Sequence, residues 1–384
     1  MKYLFNSIIA KKSGAGGFQI SCNFARAALN DKKTDWHLVV SEDVGEFIRL
    51  EFDPDLFSER VHVFPTQPSR QTYFKVRKEL KALERELKPD VVYSILSPSY
   101  FFFDCPEVMR CCNAWDLIPL SHPVFKVVNR SLAFRMKLKA QLIIYLMRKT
   151  KYFMTQTEEA KKGICHVTGT ADSNVCVVPN VLNKTFAEAP KDPIPHEGYN
   201  IVMVGAPAPH KNINILPEVA RILRDKYRLK DVKFVTTFDP NTSSCVELAQ
   251  KFKTNDVEHM WNNVGRKSQK ELIDLYRSSD LGFFPSLLET FSATLLEYMC
   301  FGLPTVIADM TFNTEVMGDA AFTYPPFDAE KAADQIARIY LAKEIQEDMR
   351  NKGYEQLKRF SDFDKYYNDT LTFLTEIANK HINK

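Results

Sequence analysis

Residues 279–309 constrain the fold of this chain more than any other stretch. They read Ser-Asp-Leu-Gly-Phe-Phe-Pro-Ser-Leu-Leu-Glu-Thr-Phe-Ser-Ala-Thr-Leu-Leu-Glu-Tyr-Met-Cys-Phe-Gly-Leu-Pro-Thr-Val-Ile-Ala-Asp. The pattern predicts a strand from Leu281 to Pro285, a turn carrying Glu289, and a helix from about Ser292 that holds Glu297. A Gly-Leu-Pro stop follows at Gly302 to Pro304, then a second apolar strand from Thr305 to Ala308. Two strands joined by a helical crossover run in the same direction, so the unit belongs to a parallel sheet.

The two carboxylates stand eight positions apart in different settings. Glu289 precedes the helix, at the carboxyl end of a strand, where open α/β sheets bind ligands. Glu297 lies inside the helix, about two turns beyond Glu289. Between them, the N–H groups of Phe291, Ser292, Ala293 and Thr294 are expected in the first turn without intrahelical partners, which makes an anion site. A hydroxyl acceptor, a phosphate cradle and a second hydroxyl acceptor in a row suit a sugar, a diphosphate and a ribose. The competing reading is a solvated glutamate pair on an ordinary crossover helix.

The frame around the pair, Pro285-Ser286, Phe291, Glu297-Tyr298-Met299 and Gly302-Leu303-Pro304, resembles the E-x7-E signature of retaining GT-B glycosyltransferases, family 4 in particular. That resemblance implies two Rossmann-like domains with parallel sheets facing an interdomain cleft. It also implies Glu289 orienting sugar hydroxyls, Thr290 through Thr294 holding diphosphate, and Glu297 accepting from ribose hydroxyls.

Length and composition agree. A chain of 384 residues, 45% of them hydrophobic, is long enough for two cores. A formal charge of +3 gives no nucleic-acid footprint. The eight cysteines lie mostly in apolar runs without Cys-x-x-Cys pairing or metal-ligand spacing, and read as reduced thiols of a cytoplasmic protein. No metal or other cofactor is expected, only the nucleotide-sugar substrate. The opening Met1–Ala10 reads as a first strand rather than a signal peptide, because Asn6 and Ser7 break its apolar run.

Strands are predicted at His37 to Ser41, Val61 to Pro65, Val91 to Leu96 and Val108 to Ala114, with a charged helix from Ser69 to Lys88. After the first strand comes Ser13-Gly14-Ala15-Gly16-Gly17, opening a helix that runs to about Asn30. It is neither a Walker A loop nor a complete G-x-G-x-x-G fingerprint. In the family this glycine loop faces donor and acceptor, which selects Gly16 and Gly17.

Asn113-Ala114-Trp115-Asp116-Leu117-Ile118-Pro119-Leu120 matches a family segment that commonly begins with His where Trp115 stands. Asp116 is kept and is a candidate catalytic residue. Trp115 cannot move a proton, although its ring can stack on a sugar. His122 is a second acceptor-side candidate, with an ordinary loop histidine as the alternative. From His122 to Thr157 there is no acidic residue, while eight lysines and arginines between Lys126 and Lys151 alternate with apolar side chains. Two readings stay open for 126–151: contact with an anionic membrane at the inner face, or a core helix with a solvated basic face.

Residues 187–199, with three prolines and a glycine, are the expected linker. It would divide an N-terminal domain, 1–186, from a nucleotide-sugar domain, 200–363, with a last helix over 364–384 that the family packs back on the first domain. The second domain opens with a strand over Asn200 to Val204, then Gly205-Ala206-Pro207-Ala208-Pro209-His210-Lys211-Asn212. Further strands are predicted at Val232 to Phe238 and Val257 to Val264. Lys211 fits the lysine that meets the donor diphosphate, and Gly205 lets the loop approach it. Ala206 replaces an arginine common in relatives. The chain thus reads as a glycosyltransferase using a nucleoside-diphosphate hexose, GDP-mannose ahead of UDP-hexoses, and a glycan or lipid-linked glycan acceptor in surface polysaccharide synthesis. Its rivals are a non-catalytic nucleotide-sugar or glycan binder, and an epimerase or phosphorylase on the same fold.

Overall fold

A computed structural model describes residues 1–12, 15–65, 71–119 and 121–382. Ser13 and Gly14 of the glycine loop, the expected helix start at Ser69, and Leu120 lie outside the described residues. The chain divides into two compact units.

The first unit takes residues 1–117, 136–179 and 364–384. Its seven strands are β1 (Lys2–Ser7), β2 (Asp35–Ser41), β3 (Val61–Phe64), β4 (Val91–Ser94), β5 (Glu107–Arg110), β6 (Tyr152–Thr155) and β7 (Val175–Val177). All pair in parallel, in the order β3-β2-β1-β4-β5-β6-β7. Helices cover both faces of such a sheet, so its central strands read as unbroken apolar runs; β4 is buried along its length. The helix Phe363–Ile382 belongs to this unit and buries Tyr366, Tyr367, Phe373, Leu374 and Ile377. It is anchored where Trp36 Nε1 donates to the Tyr367 hydroxyl at 2.7 Å, which in turn donates to Asp31 at 2.9 Å.

The second unit takes residues 118–135 and 180–363. Its strands are β8 (Tyr199–Met203), β9 (Val232–Thr236), β10 (Trp261–Asn263), β11 (Leu281–Phe284), β12 (Thr305–Ala308) and β13 (Ala321–Tyr324), all parallel, in the order β10-β9-β8-β11-β12-β13. Each sheet therefore grows one way from its first strand, then the other, so the chain reverses between β1 and β4 and again between β8 and β11.

Some expected boundaries move. The division falls after Pro179 rather than after 186, and 118–135 group with the second unit. Hydrogen bonds and packing explain this. Leu182 N–H donates to the Phe360 carbonyl at 2.8 Å, and Phe186 is buried beside the rings of Tyr276 and Phe301. The expected linker is pinned as well: Ile194 N–H donates to the Arg277 carbonyl, and Arg277 Nε to that of Asp192, both at 2.8 Å. Lys126 lies 5.5 Å from the centre of the Phe327 ring. The expected strand over 257–264 shortens to Trp261–Asn263, because Glu258–Met260 turn as a 3-10 helix. The strand expected to reach Ala114 stops at Arg110 for the same reason, Ala114–Asp116 being a 3-10 turn.

Gly282 sets the helix after β11 against the sheet. The Tyr298 ring lies on its Cα, and a Cβ there would come within 2.5 Å of the ring. The Tyr298 hydroxyl donates to the Val202 carbonyl at 3.0 Å and accepts from Val204 N–H at 3.3 Å, so it cannot swing away cheaply. Gly282→Ala is expected to cost about 3 kcal/mol by overpacking, read as a lowered midpoint in chemical denaturation.

Candidate functional site

In the second unit the candidate residues come from the segments that leave β8 and β11, the two strands flanking the reversal. There, connections at the carboxyl ends depart to opposite faces and leave an opening. Gly205 follows β8 with φ of +145°, a conformation an L side chain rarely adopts, and its N–H donates to Thr237 Oγ1 at 3.2 Å. A Cβ on Gly205 would stand 3.8 Å from Lys211 Cε. Pro209–Lys211 form one 3-10 turn, which Asn212 ends in the left-handed conformation. This turn presents Lys211.

Lys211 meets Glu289 in a direct ion pair, with the two side chains only 15% and 19% exposed. The loops carrying them are tied together by Leu287 N–H donating to the His210 carbonyl at 2.8 Å. Ser286 Oγ donates to Glu289 Oε1 at 3.2 Å, and Asn313 Nδ2 holds the Ser286 and Ala308 carbonyls at 3.2 and 3.0 Å. The Lys211 ammonium also lies 5.0 Å from the centre of the Phe284 ring. A cation and a carboxylate fixed in mutual contact can exchange each other for an anion and a hydroxyl of one ligand. His210 adds no second cation at neutral pH, because burial pushes its imidazole below the ordinary value of 6.5.

The helix begins at Ala293, one residue later than expected, and runs to Cys300. Phe291 and Ser292 therefore lie outside the first turn. Ser292 is the N-cap in extended conformation, and among the described residues its side chain makes no capping bond. Phe291 is buried, its ring 5.7 Å from that of Phe360, so its side chain fixes the chain's entry into the helix. Thr290 is also buried. Ala293 and Thr294 remain as first-turn donors, since Leu295 N–H already returns to the Ser292 carbonyl at 3.2 Å.

Glu297, one turn further on, accepts a short hydrogen bond from the Tyr276 hydroxyl. Burial pushes its carboxyl up to about 7, and the Tyr276 bond partly opposes that rise. The sequence singled out Glu297 but not Tyr276, which closes the helix Gln269–Arg277 like an ordinary core aromatic. Ser286 passed as a frame residue, and Asn313 was not singled out. No pattern could have found their bonds, which join loops from different strands.

In the first unit, Gly16 and Gly17 stand inside the first turn of the helix Ala15–Asn30, not in the preceding loop. They follow β1, at that sheet's own reversal. A Cβ on Gly16 would meet nothing within 4 Å, whereas one on Gly17 would press on Leu96 Cδ2 at 3.2 Å. Leu96 itself follows β4. Trp115 and Asp116 occupy the 3-10 turn after β5. Asp116 is buried and pushed up to about 6, chiefly by desolvation, while an Asn113 Nδ2 bond of 2.6 Å and the charges of Lys139 and Lys137 oppose the shift. His122 belongs to the second unit and caps the turn Pro123–Lys126, its Nδ1 accepting from Val124 N–H at 3.3 Å.

Among the described residues, no cluster of three or more His, Cys, Asp or Glu side chains could hold a metal ion. None of the eight cysteines is in a disulfide, and Cys22, Cys111, Cys245 and Cys300 are buried.

Residues 185–356 match the family described as Glycosyl transferases group 1, which covers the candidate residues of the second unit. Among curated proteins, O-antigen chain mannosyltransferase B of Escherichia coli is 26% identical over 165 residues, 43% of this chain and 42% of that protein. O-antigen chain mannosyltransferase RfbU of Salmonella typhimurium is 24% identical over 225 residues, 58% and 59% respectively. The chain thus spans about half the length of the curated relatives it matches. Among solved structures, a glycosyltransferase from Rickettsia africae superposes with a TM-score of 0.72 at 15% identity, over 98% of both chains. Anabaena HepE, solved in complex with UDP and glucose, gives 0.72 at 14% identity over 98% of this chain and 99% of its own. At these identities the likeness is one of fold, which is of the GT-B class: two Rossmann-like units with parallel sheets.

The Glu297 site carries its own test. Its carboxyl holds a proton in the folded state between about 4.5 and 7 that the unfolded chain has lost, so its contribution to stability falls as pH rises through that window. Glu297→Gln should therefore gain in melting temperature relative to the wild type on going from pH 5 to pH 8. In Tyr276→Phe, where the bond that lowers the carboxyl is gone, a carboxyl titration followed by infrared spectroscopy should move above the wild-type midpoint.

Proposed function

We propose that this protein is a GT-B glycosyltransferase that moves a hexose from a nucleoside-diphosphate sugar to a glycan or lipid-linked glycan acceptor, with retention at the anomeric carbon. The observation that carries the reading is the Lys211–Glu289 pair, held between the segments after β8 and β11 at the switch point of the second sheet. The donor would take both partners of that pair. Its diphosphate would meet Lys211 and the N–H groups of Ala293 and Thr294, while Glu289 would accept from sugar hydroxyls. Glu297 would accept from the ribose, and Gly205 would allow close approach of the loop.

The chemistry follows from the charge. As the bond from the anomeric carbon to phosphate breaks, negative charge grows on the leaving oxygen. A fixed ammonium and two helix N–H groups stabilise that charge with no reorganisation at the moment of reaction. In the free protein the Lys211 ammonium occupies the Glu289 carboxylate directly, and a donor would exchange that contact for its own phosphate and hydroxyls. The first unit would supply the acceptor side, through Gly16, Gly17, Trp115 and Asp116 at the carboxyl edge of its sheet. Trp115 would line or stack on a sugar rather than move a proton, and the raised Asp116 is suited to taking part in proton exchange near pH 6. The similarity to O-antigen mannosyltransferases supports a reading with GDP-mannose over UDP-hexoses and an activity in surface polysaccharide synthesis. No metal is assigned a role.

The deciding experiment is thermal unfolding of the full chain with GDP, UDP, ADP and their sugars, with and without magnesium. A ligand at about 100 times its dissociation constant adds about 2.7 kcal/mol to folding stability. One nucleotide should raise the midpoint, and Glu297→Ala should abolish the shift. With that donor, Lys211→Ala should lower the turnover rate by about 10²- to 10³-fold. Nucleotide binding without turnover on any glycan acceptor would favour a binding protein, the reading that Trp115 in place of the family's histidine supports.

A further inference from the structure

The helix Arg130–Met147 resolves which of its apolar side chains serve the core. Ala140, Ile143, Ile144 and Met147 are buried, and Ile143 and Met147 pack with Met109, Phe153 and Ile164. Leu138, Leu142 and Tyr145 are 57%, 60% and 58% exposed. Their spacing of four and three residues aligns them on one outer face. All three lie in the part of the helix, from Met136 on, that belongs to the first unit. Over 138–145 the exposed side chains are Leu138, Lys139, Gln141, Leu142 and Tyr145, so apolar groups share the outer face with polar ones instead of turning inward.

The charged side chains of this segment itself have one sign, and the carboxylate that the Lys139 charge reaches, Asp116, is buried. Lys139, Arg148, Lys149 and Lys151 are exposed, and the Lys149 ammonium sits 4.6 Å from the centre of the Tyr145 ring. Arg148 donates to the Val167 carbonyl at 2.7 Å and keeps its charge. The nearest carboxylates in the sequence on either side are Asp116 and Glu158. Among the described residues no helix is long and apolar enough to cross a membrane. An apolar stripe bordered by cations suits a helix lying flat in the headgroup region, with leucine and tyrosine side chains among the acyl chains and lysines on the phosphates. We propose that the outer face of this helix, Leu138, Leu142 and Tyr145 with Lys139 and Lys149, is a docking surface for an anionic lipid bilayer.

The test needs no turnover and so stands apart from the assignment of glycosyl transfer. The full chain is sedimented with vesicles of phosphatidylcholine containing about one-third phosphatidylglycerol, and with phosphatidylcholine alone. It should pellet with the anionic vesicles, weakly with the neutral ones, and be released by high salt, which screens the lysines. Leu142→Glu should weaken binding by at least about tenfold, because a buried leucine is lost. The pair Lys139→Glu with Lys149→Glu should also weaken it by at least about tenfold, at about fivefold for each charge near the surface. All of these positions are exposed, so the melting temperature should stay within a degree or so of the wild type. Equal binding to both vesicles, or to neither, would overturn the proposal. A dimer in analytical ultracentrifugation that Leu142→Glu dissociates, without vesicle binding, would assign the face to a second copy of the chain instead.

Discussion

The reversal of strand order between β8 and β11 is the constraint from which the candidate site follows. In a parallel sheet every crossover must cover one face or the other, and where the chain changes face the two departing segments separate. The loop from Gly205 to Asn212 leaves one strand there, and the loop from Pro285 to Ser292 leaves the other. The hydrogen bond from Leu287 N–H to the His210 carbonyl joins them again at one point. Lys211 and Glu289 meet next to that junction, each on the loop that the bond ties to the other.

The same unit holds its two glutamates in different surroundings. Glu289 has an ammonium partner and a Ser286 hydroxyl. Glu297 accepts from the Tyr276 phenol, and desolvation raises it to about 7. Glu297, facing a phenol in a buried setting, sits near its midpoint at neutral pH. The environment, not the residue type, gives the pair different chemistry. The rigid element behind both is the helix Ala293–Cys300, which Tyr298 locks over Gly282.

Several features were legible because they are local. Apolar runs bounded by Gly, Pro and Asn gave most strands, and Thr157 caps its helix as the Thr-Glu-Glu pattern requires, its hydroxyl accepting from Ala160 N–H at 3.2 Å. Lys211 and Glu289 were visible through their frames. Illegible were the features made by contacts between distant residues. The prolines of 187–199 signalled a linker, yet long-range bonds to Arg277 pin that segment to the second unit. Phe291 was read as a helix donor, but its side chain is drawn into the core against Phe360 and the helix starts later. His122 drew notice for its chemistry and turned out to cap a turn.

Sequence by itself determined the α/β class, the strand and helix alternation, and the identity of the charged groups at the site, because periodicity and turn chemistry act over a few residues. Only the tertiary structure decided that Tyr276 faces Glu297, that Lys211 and Glu289 neutralise each other, and that Leu138, Leu142 and Tyr145 face outward. Partners in each case depend on packing between elements far apart in the chain. Burial and pairing are properties of that packing, which no local pattern encodes.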